Sequence, residues 1–194
     1  MDKGERLDRA LEAAVALLEG APSKRLQVTN LNKGLFYLDL VALRDTGDTL
    51  TGAPYVALKQ GPVLDQYKVD LIPSLMAAGF ARQDDQGMEK PVVLLKPCES
   101  YHYMDDYLRS MAAAIARHVA SKTAASISEF SHQNPGWIAA FEDGQGINVS
   151  PRRINMMLAM QQILDRDPWL DEPADEDVLR AFAESRSPKS EREV

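Results

Sequence analysis

Apolar residues recur at helical spacing in "ERLDRALEAAVALLE" (5–19), where Leu7, Leu11, Ala14, Val15 and Leu18 share one face before Gly20 and Pro22 end the run. Between Thr29 and Arg44 the pattern changes. Leu31, Leu35, Phe36, Leu38, Leu40, Val41, Ala42 and Leu43 leave hardly a polar side, which places this helix at the centre of the fold. Gly34 within it costs about 1 kcal/mol relative to Ala, a cost that close backbone packing would offset. "YVALK" (55–59) reads as an edge strand that stops at Gly61-Pro62. A helix is predicted from Val63 to Ala78, kinked or split by Pro73 and closed by Gly79. "FARQDDQGMEKPVVLLK" (80–96) predicts two short strands around Gln86-Gly87, a hairpin able to pair with 55–59 in a three-stranded antiparallel sheet.

Further along, "MDDYLRSMAAAIARHV" (104–119) is a strong helix. Ser126 and Glu129 are spaced as a capping box for the next one. Asn134-Pro135-Gly136 is a turn signal that ends that helix and presents Trp137, and Ser150-Pro151 is a start signal for a helix to about Leu164. These elements make an α+β chain, mainly helical, with about six to eight helices around a central apolar helix and a small three-stranded antiparallel sheet. Residues 1–170 read as a single domain. The remainder, 171–194, begins with the acidic "DEPADED" and ends in the mixed-charge "SRSPKSEREV", which has little to bury and is expected to be partly disordered.

Composition narrows the chemistry more than it suggests any. With 194 residues, 45% of them hydrophobic, the chain can bury one good-sized core. No apolar run approaches the roughly 18 residues of a membrane helix, and the expected location is the cytoplasm. Cys98 is the only cysteine, so an internal disulfide and a cysteine-built metal site are excluded, and a buried inert thiol is expected. A formal net charge of −7 argues against a non-specific grip on nucleic acid. Glu129 and His132 share a helical face, half of a di-metal carboxylate arrangement, but no second Glu-x-x-His exists, so structural roles are preferred. There is no Gly-x-Ser-x-Gly elbow, no phosphate-binding Gly-rich loop and no dinucleotide fingerprint. No enzymatic activity, metal or cofactor is expected.

Two stretches stand out as surface-building devices. In "YVALKQGPVLDQY" (55–67), Gly61-Pro62 can hold a strand end and a helix start in one fixed relation, with Tyr55, Gln60 and Tyr67 displayed around it. The alternative is that both tyrosines seal the sheet against the helix. In "FSHQNPGW" (130–137), Trp137 is either a core plug or an anchor for a partner.

"LNKGLFYLDLVAL" (31–43), "GDTLTGAPYVALKQGPVLDQY" (47–67) and "ISEFSHQNPGW" (127–137), in that order, resemble the Panacea domain family, the SocA-like antitoxins and phage-associated GepA-type proteins. Lys33, Tyr37, Gly61, Pro62, Val63, Tyr67 and Trp137 fall at its signature positions. Gly34, Leu58 and Gln60 depart from the family pattern. The resemblance implies an antitoxin that binds a cognate toxin encoded by a neighbouring gene, including toxins that act on translation or nucleotides. Its partner-binding candidates here are Lys33, Tyr37, Tyr55, Gln60, Gly61, Pro62, Tyr67, Glu129, His132 and Trp137. It equally implies an alternative, a proteolytic adaptor delivering a partner to a ClpXP-type protease, with the acidic tail as handle. A winged-helix-like regulator using Arg152-Arg153 is a lesser alternative, and a homo-oligomer is compatible with all three.

Overall fold

A helix can be apolar on every side only if its neighbours surround it, and a computed structural model, which describes residues 1–84, 90–143 and 151–170, places α2 (Val28–Thr46) in that position. Every residue from Asn30 to Leu43 is buried. α1 (Lys3–Gly20) and α4 (Asp106–Ala120) pack along it, capped by Asp2 and Asp105, whose carboxylates accept from the backbone N–H of Glu5 and Leu108. Gly34 faces α1 so closely that a Cβ would lie 3.1 Å from the Leu17 methyl groups, which accounts for glycine in this helix. α5 (Ala124–His132), α6 (Pro135–Asp143) and α7 (Met156–Met160) close the remaining side, followed by one 3-10 turn, Gln161–Ile163.

The strands divide differently from the expectation. β2 (Tyr55–Leu58) pairs with β3 (Gly61–Leu64), joined by a tight turn at Lys59-Gln60. The segment 80–96 forms β4 (Ala81–Gln83) and β5 (Val92–Leu94), but its third strand is β1 (Arg25–Leu26), in the order β1-β5-β4, and not 55–59. Sequence pattern misassigned the pairing because Gly61, at φ +98°, closes a local hairpin that the alternation of 55–59 alone does not announce. Pro62 is tolerated in β3 because it faces Ala57 as a pair whose backbone groups point away from each other: the Ala57 N–H donates outward to the Arg152 carbonyl, and the Pro62 carbonyl also faces away from β2.

The helix expected from Val63 starts later. Val63 and Leu64 belong to β3, Gln66 takes a left-handed φ of +60°, and a single wide π-type turn, Tyr67–Leu71, leads into α3 (Ile72–Ala77) with Pro73 in its first turn. Pro73 therefore separates two helical pieces, and Gly79 closes the second: its N–H donates to the Met76 carbonyl and that of Phe80 to the Leu75 carbonyl. Ser126 and Glu129 do not cap α5. Thr123 does, accepting from the Ser126 N–H at 3.1 Å, so α5 begins a half-turn earlier than the capping-box reading allows. Asn134-Pro135-Gly136 ends α5 as expected and at once opens α6, with the Asn134 Oδ1 accepting from the Trp137 N–H.

Pro151 opens no helix. Residues 152–154 run extended along the outer edge of β2, where the Ile154 N–H donates to the Tyr55 carbonyl at 2.8 Å, and α7 starts only after Asn155, its N-cap. The Gln86-Gly87 turn, Ser150 and the 171–194 tail lie outside the described residues. Among the described residues there are seven α-helices, within the expected number, and no helix is long and apolar enough to cross a membrane. Cys98 is half-buried rather than buried.

Gly61 and Gly47 offer a controlled comparison. Both have positive φ, +98° and +85°, but a Cβ on Gly61 would lie 2.4 Å from Ser131 Oγ and 2.6 Å from Lys33 Nζ, whereas one on Gly47 meets nothing within 4 Å. Gly47→Ala should lower stability by about 1–2 kcal/mol from backbone strain alone. Gly61→Ala should cost about 2–4 kcal/mol because overpacking adds to the strain. Urea unfolding of the two variants measures the difference, and equal losses would mean that the Gly61 contact is slack.

Candidate functional site

The hairpin β2–β3 is held by side chains from three helices, and those side chains include most of the residues singled out in the sequence. From α2, Lys33 Nζ donates to the Pro62 carbonyl at 2.8 Å, and Asn32 Oδ1 accepts from the Leu64 N–H at 3.1 Å. These two side chains occupy the outer edge of β3 as a neighbouring strand would. From α6, the Trp137 indole N–H donates to the Leu58 carbonyl at 3.0 Å, at the other end of the hairpin. From α5, Ser131 packs under Gly61. Trp137 is itself sandwiched, with His132 on one face at 4.2 Å and Phe141 at 4.6 Å, both nearly parallel.

Beneath the hairpin lies a buried carboxylate that sequence reasoning missed. Asp39 accepts from the Thr51 N–H at 2.8 Å, the Thr51 hydroxyl at 2.5 Å and the Tyr55 hydroxyl at 2.8 Å. Burial pushes its carboxyl up to about 6, against the pull of these donors toward the charged form. Burial and the neighbouring Asp39 hold the Tyr55 hydroxyl protonated well above its ordinary range. The available signal was Asp39 inside an otherwise apolar helix, "LFYLDLVAL", where a lone acid demands partners. Tyr37 points elsewhere, into a ring cluster with Phe36, Phe130 and Trp169, and its hydroxyl donates to Gln162 Oε1 at 3.4 Å.

Burial sorts the candidates. Lys33, Tyr37, Tyr55, Gly61, Pro62 and Trp137 are buried, so they build the hairpin's support and do not display side chains to a partner. The expectation that Tyr55 is displayed is corrected by its hydrogen bond to Asp39 and its complete burial. Gln60 at the hairpin tip and Glu129 are exposed, and Tyr67 and His132 are half-buried. Gln60 and Tyr67 share one groove; Glu129 and His132 do not line it. That groove, about 660 Å³, runs between the start of α2, the hairpin and the π-type turn, with the Lys33 chain beneath its floor. Among the described residues no three His, Cys, Asp or Glu side chains converge as metal ligands.

Lys33 sets a pH signature. Burial brings its amine down from 10.5 to about 7. Between those values the unfolded chain binds more protons than the folded one, so stability should rise with pH from about 7 toward 10, approaching ~1.4 kcal/mol per pH unit at the steepest. Lys33→Met should flatten that rise, and the difference between the two urea-derived profiles cancels titrations common to both. Parallel profiles would place the Lys33 amine in contact with water. Tyr55→Phe should cost about 1–3 kcal/mol at pH 7, because Asp39 loses one of its donors in a buried setting.

The geometry meets an independent finding. A search of curated proteins and a search of solved structures returned no match. The family model described as "Antitoxin SocA-like, Panacea domain" matches residues 31–138, a span that begins in α2, takes in Lys33, Asp39 and the whole hairpin, and ends one residue after Trp137. With more than half of its length so matched, the chain belongs to the SocA-like antitoxin, Panacea-domain family.

Proposed function

We propose that this protein is the antitoxin of a toxin–antitoxin pair and neutralises its toxin by direct, non-catalytic binding. The observation that carries the reading is the coincidence of the family match, residues 31–138, with the three-sided clamp on the hairpin. A clamp of this kind spends buried polar groups on fixing a backbone rather than on presenting reactive atoms. A fixed hairpin and groove bind with less ordering cost than a loop that must settle on its partner. The face that meets the toxin is then the exposed rim, Gln60 and Tyr67, while Lys33, Tyr37, Tyr55, Gly61, Pro62 and Trp137 act through rigidity.

Co-expression tests this reading. The product of a neighbouring open reading frame, induced alone, should arrest growth, and this protein should restore growth and co-purify with it. Absence of toxicity, or toxicity with neither rescue nor complex, would overturn the proposal. Exchanging Tyr67 for Ala together with Gln60 for Arg should weaken the complex about tenfold or more, with little change in unfolding midpoint. Trp137→Ala should lower stability itself by about 3–5 kcal/mol. Removing 171–194 should leave neutralisation intact. Loss of neutralisation on that deletion, with the toxin becoming long-lived, would favour delivery to a protease instead.

A further inference from the structure

The groove beside the hairpin is an electrostatic exception in an acidic protein. The chain carries 29 Asp and Glu against 22 Lys and Arg, yet the described residues lining the groove include Lys33, Lys68 and Lys90 and no carboxylate. Lys68 and Lys90 are exposed at opposite rims. Lys90 is tied to the sheet through its carbonyl, which accepts from the Gln83 side chain at 3.1 Å. Lys33 is fully buried, so it contributes positive potential through the floor and makes no direct contact. The low polarizability around a buried amine makes that potential stronger per charge than one at a wet surface.

The remaining lining distinguishes among anions. Phosphate is usually met by the fork of an arginine or by a cradle of backbone N–H groups at glycines, and no arginine or glycine lines this groove among the described residues. Instead, the side-chain amides of Gln60 and Gln83 alternate with apolar surface from Leu58, Val63 and Ile72. Side-chain amides pair with peptide N–H and C=O groups, and the apolar stretches take aliphatic side chains. A chain segment with interleaved acidic and aliphatic residues fits all of these features together.

We infer that this groove docks an acidic segment of a protein partner, its carboxylates meeting Lys68 and Lys90 and its aliphatic side chains lying against Leu58, Val63 and Ile72. The partner is the toxin if the antitoxin reading holds, and the inference rests on that reading only for this name. The net charge of −7 does not oppose it, because charges beyond about 8–10 Å are screened at physiological salt, while the lysines act at contact.

The test uses the full chain, isotope-labelled, with amide resonances followed during titration. The probes are a peptide on the order of ten residues alternating Glu with Leu or Val, the same peptide with Gln in place of Glu, and inorganic phosphate. The acidic peptide should shift the amides of Gln60, Lys68 and Gln83, and the Gln peptide should bind about tenfold more weakly or worse. Raising salt severalfold should weaken the acidic peptide further. K68E combined with K90E should abolish the shifts while the rest of the spectrum stays in place. Equal binding of both peptides, shifts confined to another surface, or shifts that survive the double reversal would overturn the inference. Phosphate moving the same amides as strongly as the peptide would also overturn it, in favour of a small-anion site. A chain that rescues growth but ignores the acidic peptide fails only this inference, and one that binds the peptide without rescuing growth fails only the antitoxin reading.

Discussion

Lys33 carries an amine into the interior and finds one backbone carbonyl there, that of Pro62, with Gly61 pressed against its chain. Much of the architecture follows from accommodating that group. An amine can be buried this deeply only if an acceptor is fixed within reach, and Pro62 is fixed because its ring sets its own φ and because the hairpin closes at Gly61. The hairpin in turn needs an absent side chain at Gly61, since Ser131 and Lys33 already occupy that space. Helix α2, the hairpin and α5 therefore specify one another through a single crowded point.

A second polar insertion works in parallel. Asp39 lies two turns along the same helix and ties the other end of β2 through Tyr55 and the incoming loop through Thr51. One helix thus sends a base to β3 and an acid to β2, and neither pairs with the other. Buried groups of this kind contribute less to net stability than apolar packing would, but each is satisfied in only one arrangement. A hairpin held by both has one position on the helix.

Legibility in the sequence followed the range of the interactions involved. The helices α1, α2 and α4 and the Gly79 cap were readable because periodicity and caps are local signals. The family resemblance was readable for a related reason: "LNKGLFYLDLVAL" and "QGPV" are short, distinctive words. The partners of 55–58 were not readable, since strand alternation says nothing about which edge a strand meets. The Thr123 cap was hidden by a better-looking Ser126 three residues on, and the extended run at 152–154 by a Ser-Pro start signal that tertiary pairing with β2 overrode. At the site, the sequence pointed to the right residues and the wrong exposure. Lys33, Tyr55 and Trp137 looked like surface candidates because Lys, Tyr and Trp so often are, and only packing reveals which of them face inward.

The seating of residues 152–154 on β2 has a consequence for the order in which the chain can complete itself. The hairpin is made of residues close in sequence, so both its strands leave the ribosome together. One of its edges can be covered early, by Asn32 and Lys33, which precede it. The other waits for Arg152 and Ile154, synthesised long afterwards. Throughout that interval β2 offers a bare row of backbone donors and acceptors, the kind of edge onto which foreign strands add. The mature protein is closed at both edges; the nascent one is open at β2, and its exposure to aggregation or to early capture by another chain is set by translation time rather than by stability.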